Sequence, residues 1–257
     1  MSENLNSQFC TGIVVPCYNE LNRIQLPEFS QFLSSNDSIF FCFVNDGSTD
    51  GTEQKLADFV NHNPERSQLV NLPKNKGKAE AVRQGINTLL KSTKFQLVGY
   101  WDADLAAPLS EIQGFIQKFK SNNELKAVCG ARILRLGSSI RRSIFRHYFG
   151  RIFATIVSNI LNIPVYDTQC GAKIFLAEFA EFIFSEKFLS RWFFDVELFA
   201  RSIEHIGRQN IINGVVELPL IQWHDQGQSK VTWANVLQTP LELLRIYLFY
   251  RNRMVKA

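Results

Sequence analysis

Two aspartates, Asp102 and Asp104, stand one residue apart directly after the apolar run Leu97–Trp101. In an extended segment alternate side chains point to the same face, so this spacing can direct both carboxylates to one place. Two such carboxylates repel each other unless a positive charge lies between them. Mg²⁺ and Mn²⁺ prefer oxygen ligands and also accept the phosphate oxygens of a substrate. The pair therefore indicates a Mg²⁺ or Mn²⁺ site; the alternative is a loop of solvated acids that caps the following helix.

Polar clusters follow two other apolar runs in the same half of the chain. The letters CYNE follow the run at 12–16, and NDGSTDGTE follows the run at 39–44. Further β-rich runs at 68–72 and 96–101 alternate with amphipathic helical patterns, which predicts a mostly parallel sheet with helices on both faces. Ligands of such sheets bind at the carboxyl ends of the strands, so the three polar clusters are expected to meet in one crevice.

The second polar cluster contains acids with different expected roles. Asp50 and Glu53 have the spacing of a helix capping box. Asp46 lies upstream of that cap and is therefore left to accept hydrogen bonds from a base or a ribose. In the first cluster, Tyr18 and Glu20 taken alone are better explained as turn residues than as ligands.

The chain changes character after residue 125, because no acidic residue occurs between Glu124 and Asp167. That span holds these cationic residues: Lys126, Arg132, Arg135, Arg141, Arg142, Arg146 and Arg151. Its second half mixes arginines with large apolar residues, which predicts one or two basic amphipathic helices, and the C-terminal segment has a similar pattern. Interleaved Ile, Phe and Val suit a lipid surface better than a nucleic acid, so no nucleic-acid partner is predicted.

The composition is that of a folded protein. The chain has 257 residues, of which 46% are hydrophobic, and a net charge of +4. Five cysteines without a CxxC pair predict reduced thiols in a cytosolic compartment. The N-terminal residues lack the pattern of a signal peptide, and no run of about 18 apolar residues occurs. We therefore predict neither a signal peptide nor a transmembrane helix.

Four segments along residues 12–108 carry a resemblance to a known enzyme family: VVPCYNE, VNDGSTDGT, NKGKAEAVRQGI and YWDADLAAP. They resemble the family 2 glycosyltransferases, which have the GT-A fold, a Rossmann-like α/β fold. The resemblance implies an enzyme that transfers a sugar from a nucleotide-sugar donor with inversion of the anomeric centre. It also implies a divalent ion, Mg²⁺ or Mn²⁺, between the donor diphosphate and the acidic pair.

The resemblance implies roles for individual residues. It assigns nucleoside binding to four of them: Pro16, Tyr18, Glu20 and Asp46. Gly77 and Lys78 are expected near the donor. Asp102 and Asp104 are expected at its ribose and diphosphate as metal ligands, and Asp104 is also a catalytic candidate.

Segments of the second half point to the acceptor. DTQCGAKIF, RWFFDVELFAR and GQSKV resemble blocks of the polyprenyl-phosphate glycosyltransferases, a group that includes dolichyl-phosphate glucose synthases. The resemblance implies a lipid-phosphate acceptor and matches Arg132 and Arg146 to positions that contact its phosphate, with Arg142 as a weaker candidate. The alternative is a set of solvated helix arginines. Lys230 matches a lysine of a loop that closes over the donor.

Two further acids, Asp195 and Glu197, lie in an apolar segment where unpaired charges would be costly. They could orient Arg191, touch the sugar or act as a base, so both are catalytic candidates. Ala106 occupies a position where some members of the family carry a polar metal ligand, which implies that this chain supplies fewer ligands to the metal.

These observations predict a single catalytic domain over residues 1–257, with an α/β GT-A fold and C-terminal amphipathic helices. The donor-binding part is expected at about 10–125, and the acceptor- and membrane-facing part at about 126–257. The leading hypothesis is transfer of glucose from UDP-glucose to a polyprenyl (dolichyl-type) phosphate. The enzyme is expected to be cytoplasmic and peripheral on the inner face of a membrane.

Several alternatives remain open at this point. The donor could be GDP-mannose, or the acceptor could be a saccharide in the assembly of a cell-surface polysaccharide. A binding module without activity is a further alternative, against which the intact acidic pair argues. The amphipathic helices could also pack in the core or against a second subunit, so a homo-oligomer is possible.

Overall fold

The computed structural model describes the backbone of residues 10–141, 144–224 and 233–256. Side chains are described for residues 10–140, 150–224 and 239–255. Nine strands occur in the described residues: β1 (Thr11–Cys17), β2 (Ile39–Asn45), β3 (Ser67–Asn71), β4 (Leu97–Trp101), β5 (Ala127–Ala131), β6 (Ser139–Arg141), β7 (Ala172–Leu176), β8 (Val215–Pro219) and β9 (Gln222–His224). The same residues form ten helices: α1 (Leu26–Ser34), α2 (Thr52–His62), α3 (Lys78–Leu90), α4 (Glu111–Ser121), α5 (Ile144–Leu161), α6 (Ala177–Ile183), α7 (Phe194–Ile206), α8 (Arg208–Gly214), α9 (Trp233–Tyr250) and α10 (Arg253–Lys256).

Seven strands form one sheet, in the order β3-β2-β1-β4-β7-β5-β8. Neighbouring strands are parallel except at β7, which is antiparallel to both β4 and β5. The predicted mostly parallel sheet is thus confirmed, and its four predicted strands correspond to β1, β2, β3 and β4. The other three strands, β5, β7 and β8, were not predicted from the sequence. The short strands β6 and β9 form a separate parallel pair.

The path of the chain through the sheet creates a crevice at one edge. From β1 the chain runs outward through β2 to β3, and then returns to β4 on the other side of β1. Adjacent strands whose connections leave in opposite directions leave a gap between the loops at their carboxyl ends. The loops after β1 and β4 lie at that gap, so the fold brings two of the three polar clusters together.

Side chains of β1 alternate between two core layers, as a strand covered on both faces requires. Ile13 and Val15 belong to the layer that includes Phe29 of α1, and Val14 belongs to the layer of α3. Helix α3 approaches the sheet closely because Gly85 has no side chain. A Cβ atom at that position would lie 2.5 Å from Cγ1 of Val14.

A third core layer joins α5, α7 and α9. The expected amphipathic helices therefore form, and one of their faces packs in the core. Large apolar residues on their other face stay exposed, among them Ile152 (61%) of α5 and Leu241 (69%) of α9. Among the described residues, no helix has both the length and the apolar character needed to cross a membrane.

The predicted capping box at Asp50 and Glu53 is wrong. Helix α2 begins at Thr52, after Gly51 with a φ of 87°, and its N-cap residue makes no side-chain capping bond. The Asp50 carboxylate instead accepts a hydrogen bond from the Thr52 amide (3.0 Å), while Glu53 accepts one from the side chain of Asn71 (3.1 Å). The left-handed conformation of Gly51 starts the helix too late for the two acids to cap it reciprocally.

Candidate active site

A cavity of about 690 Å³ opens at the carboxyl ends of β1, β2 and β4. Its lining residues are Pro16, Cys17, Tyr18, Glu20, Arg23, Asp46, Asn75, Gly77, Lys78, Ala81, Asp102, Ala103, Asp104, Arg191 and Trp192. The three polar clusters therefore meet in one crevice, as the sequence predicted. Seven of the eight residues that the resemblance assigned to the donor site line this cavity, and the eighth, Lys230, is not among the described residues.

Asp102 and Asp104 are held by the backbone of the turn that follows β4. The Asp102 amide donates to the carbonyl oxygen of Gly171 (3.0 Å), and the Asp104 carboxylate accepts from the Ala106 amide (3.0 Å). Leu105 has a φ of 52°, an unusual value for a residue with a side chain, which closes this turn tightly. Burial, together with the neighbouring charge of Asp102, raises the pKa of Asp104.

Two cationic side chains neutralise the acidic pair. The Lys78 ammonium lies 2.5 Å from an Asp102 oxygen, and the Arg23 guanidinium lies 3.6 Å from an Asp104 oxygen. Arg23 also pairs with Glu20 at 3.5 Å. Burial acts against the charge of Lys78, but the carboxylates of Asp102 and Asp195 outweigh it, so the pKa of Lys78 is raised overall.

Asp46 organises the segment that leads into α3. Its two carboxylate oxygens accept hydrogen bonds from the backbone amides of Lys76 (2.7 Å) and Gly77 (2.8 Å). The side chain is almost completely buried, and burial raises its pKa even though those amides oppose the shift. Both oxygens thus already accept one backbone hydrogen bond each, and each carboxylate oxygen can accept a second one. Its predicted contact with the nucleoside stays a prediction.

Asp195 and Glu197 do not line the cavity. Both belong to α7, and residues two apart on a helix point in directions about 200° apart, so they cannot converge on one group. Asp195 contacts the Tyr100 hydroxyl and the ammonium of Lys173, a lysine that is itself completely buried. These contacts place it behind the cavity wall rather than in the cavity.

Glu197 lies in a second buried network on the other side of α7. Its carboxylate accepts hydrogen bonds from the Arg201 guanidinium (2.8 Å), the Tyr250 hydroxyl (2.8 Å) and the Leu189 amide (2.8 Å). Arg201 in turn donates to three backbone carbonyls of residues 183–187. This position gives Glu197 a structural role and does not favour the predicted catalytic one.

Arg132 forms a bidentate ion pair beside β5. Its Nε and Nη2 atoms donate to the two carboxylate oxygens of Asp167, at 2.7 and 2.8 Å. The ring of Trp223 lies 5.6 Å from the guanidinium carbon. Asp167 raises the pKa of Arg132 although burial opposes it. The guanidinium is thus fixed in orientation, and its predicted contact with an acceptor phosphate stays a prediction.

Comparison with known proteins decides the family. Residues 12–184, about two thirds of the chain, match the sequence profile of Glycosyl transferase family 2. The chain belongs to this family. The catalytic type follows from the same match and from the relatives described next, so this chain is a glycosyltransferase.

Curated relatives of this glycosyltransferase share about 30% of its residues over most of its length. A dolichyl-phosphate beta-glucosyltransferase of Trichomonas vaginalis is 30% identical over 95% of this chain and 73% of its own. The Saccharomyces cerevisiae dolichyl-phosphate beta-glucosyltransferase is 30% identical over 87% of this chain and 69% of its own. The human one is 30% identical over 73% of this chain and 61% of its own.

Solved structures share the fold. Glucosyl-3-phosphoglycerate synthase of Mycobacterium tuberculosis in complex with UDP has a TM-score of 0.68 and 17% identity, covering 95% of this chain and 82% of its own. Its complex with Mn²⁺, UDP-glucose and phosphoglyceric acid has a TM-score of 0.69 and 17% identity, covering 95% and 81%. These similarities confirm the predicted GT-A fold.

Some predicted site residues of the glycosyltransferase lie outside the described structure. Arg142 and Lys230 are not among the described residues, and the side chain of Arg146 is not described. Their roles remain predictions from the sequence.

The cavity also contains residues that were not predicted for the site: Arg23, Asn75, Arg191 and Trp192. Arg191 and Trp192 lie next to the segment that carries Asp195, and they are more than 80 positions along the chain from every other residue that lines the cavity. Only the adjacent arginine and tryptophan, two residue types frequent in binding sites, offered a signal in the sequence.

Gly171 sets how closely β7 approaches the acidic pair. A Cβ atom at this position would lie 1.9 Å from an Asp102 carboxylate oxygen, which is far inside contact distance. We expect Gly171→Ala to displace Asp102 and lower glycosyl transfer by about 10²-fold, since displacements near 1 Å at reacting groups cost about that much. Steady-state kinetics would measure the loss.

The control for this change is Gly114→Ala on α4, where the new methyl group would make only an ordinary contact of 3.6 Å with Leu218. That variant should keep its turnover. If Gly171→Ala transfers sugar at the normal rate, close approach at this glycine has no part in positioning Asp102.

Proposed function

We propose that this enzyme transfers glucose from UDP-glucose to a dolichyl-type polyprenyl phosphate, with a divalent ion at Asp102 and Asp104. The observation that carries the proposal is the acidic pair, which lies at the switch point of the sheet beside two cationic side chains. The curated relatives that are dolichyl-phosphate beta-glucosyltransferases support the same sugar and the same acceptor.

The residues of the cavity fit a divalent ion that binds together with the donor substrate. Within the described residues, no three His, Cys, Asp or Glu side chains cluster closely enough to hold a metal by themselves. Two carboxylates are present, and oxygen ligands of this kind suit Mg²⁺ and Mn²⁺ when a diphosphate completes the coordination. A bound ion would neutralise negative charge on the departing nucleoside diphosphate. Mn²⁺ in a complex of the mycobacterial synthase supports this assignment.

The proposed reaction is a single displacement at the anomeric carbon. A phosphate oxygen of the acceptor forms a bond to that carbon, while the bond from the carbon to the donor diphosphate breaks. The acceptor phosphate is already an anion near neutral pH, so the reaction needs no strong general base. This agrees with the positions of Asp195 and Glu197, which are buried in ion pairs outside the cavity. Lys78 and Arg23 supply positive charge beside the leaving group.

The acceptor side of the proposal rests on charge and on exposed apolar surface. Helices α5 and α9 border an apolar groove of about 420 Å³. The acid-free basic span that contains α5 would attract an anionic membrane surface, and the exposed apolar residues of α5 and α9 would enter its headgroup layer. We propose that the enzyme contacts a membrane through these two helices, and that Arg132, Arg142 and Arg146 serve the acceptor phosphate.

The test of the proposed function is transfer of radiolabelled sugar from UDP-glucose and from GDP-mannose, assayed separately. The acceptor is a short polyprenyl phosphate in detergent, with Mg²⁺, Mn²⁺ or EDTA. We expect label in the organic phase with UDP-glucose and either metal, and none with EDTA. Label from GDP-mannose alone would overturn the proposed donor. Metal-dependent binding of UDP-glucose without any organic-phase label would overturn the lipid acceptor and favour a saccharide instead.

A further inference from the structure

The cationic side chains of the cavity differ in how their charge is neutralised. Lys78 pairs with Asp102, and Arg23 pairs with Asp104. Arg191 instead donates to the neutral side-chain oxygen of Asn75 (2.6 Å). No carboxylate of the described residues lies within ion-pair distance of Arg191. Its positive charge is therefore available to an anionic ligand in the same cavity.

Arg191 lies over the segment that Asp46 organises. A Cβ atom at Gly77 would come within 2.7 Å of Nε of Arg191, and Gly77 has a φ of 94° that side-chain-bearing residues rarely adopt. The glycine thus lets the guanidinium lie directly against the backbone between Asp46 and Lys78. Both Lys78 and Asp102 border the same cavity, so the guanidinium shares it with the acidic pair.

The turn that carries Arg191 is anchored to helix α9. The Ser190 hydroxyl accepts hydrogen bonds from the amides of Trp192 (3.2 Å) and Phe193 (2.8 Å). The same hydroxyl donates to the carboxylate of Glu242 in α9. Ser190 itself is buried, whereas Glu242 is partly exposed. Glu242 therefore connects the turn to α9, a helix whose residues Pro240 and Leu243 border the apolar groove.

We propose that Arg191 binds the diphosphate of the nucleotide-sugar donor and that Glu242, through Ser190, is its positioning residue. The inference rests on the proposed function for the presence of such a donor. A guanidinium suits this task because its planar fork donates two hydrogen bonds to phosphate oxygens. The other phosphate in the reaction is that of the acceptor. The cavity position of Arg191 beside Lys78 and the acidic pair favours the donor.

Calorimetry with UDP and with uridine, each in the presence of Mn²⁺, separates phosphate binding from nucleoside binding. We expect Arg191→Gln to weaken UDP binding by about 10- to 100-fold, the range for loss of hydrogen bonds to a charged group. Uridine binding should change by less than about twofold, because the lost contacts are to phosphate. Arg191→Lys should be intermediate, since it keeps the charge and loses the fork. The matched control is Arg253→Gln, an arginine on the protein surface that pairs with Glu204 at 3.4 Å.

The outcomes distinguish this inference from the proposed function. Equal losses for UDP and uridine would mean that Arg191 acts on the nucleoside or on the fold, and would overturn the inference. Normal UDP binding with a raised KM for polyprenyl phosphate would assign Arg191 to the acceptor and overturn it as well. Wild-type binding of GDP in place of UDP would overturn the donor alone, and the comparison of GDP with guanosine would then test Arg191. Wild-type enzyme that binds neither nucleotide would overturn both.

The positioning role of Glu242 has its own test. Glu242→Ala should raise the KM for the donor by about tenfold while kcat changes little, because the turn loses its anchor and the guanidinium its orientation. Glu242→Gln should restore most of the affinity, since its amide oxygen still accepts from Ser190. The control is Glu204→Ala, which removes a carboxylate that contacts α10 and leaves the turn untouched. A lower melting temperature in Glu242→Ala with an unchanged KM would make the contact structural only and overturn the positioning role.

Discussion

Replacement of Asp104 by alanine is expected to lower glycosyl transfer by roughly 10³-fold, equivalent to about 4 kcal/mol of transition-state stabilisation. The side chain is held by the Ala106 amide and faces Arg23, so its loss removes half of the acidic pair without removing a strand or helix contact. Metal-dependent binding of UDP-glucose should disappear as well. Steady-state transfer and calorimetry with and without Mn²⁺ measure the two effects.

The matched control is Asp37→Ala, because Asp37 is an exposed acid just before β2, whereas the cavity lies at the carboxyl end of that strand. This variant should transfer sugar normally. Normal transfer by purified Asp104→Ala would contradict the proposed metal site, because no other described acid on the turn after β4 could replace Asp104 as a ligand.

Replacement of Glu197 by alanine is expected to lower the free energy of unfolding by about 3–5 kcal/mol. Removal of the carboxylate leaves Arg201, a residue that is only 4% exposed, without its ion-pair partner. It also takes an acceptor from the Tyr250 hydroxyl and from the Leu189 amide. Urea denaturation would measure the change, and kcat of the remaining folded enzyme should stay near the wild-type value.

Glu204→Ala serves as the control for this change, because its ion pair with Arg253 is partly exposed and should contribute less than about 1 kcal/mol. A Glu197→Ala enzyme with normal stability and strongly reduced kcat would show that Glu197 is a catalytic residue after all. A large loss of stability with normal kcat would place it among the residues that only hold α7 and α9 together.

These two acids show which positions in the fold can be predicted from the sequence and which cannot. Asp104 was recognised because it follows a strand at alternate spacing from Asp102, and local spacing is preserved when the chain folds. Glu197 was grouped with Asp195 for a similar reason, but both lie on a helix. Helical geometry turns them to opposite sides, where each finds a buried cation.

The sequence by itself determined the first four strands, the helices α2 and α3 between them, the meeting of three polar clusters and the membership in glycosyl transferase family 2. All of these follow from short periodic patterns or contiguous motifs. The tertiary structure decided the antiparallel insertion of β7, the anchoring of the Arg191 turn by Glu242, and the close approach of Gly171 to Asp102. Those contacts join residues about 50 to 80 positions apart. No local periodicity reports which distant segments will pack together.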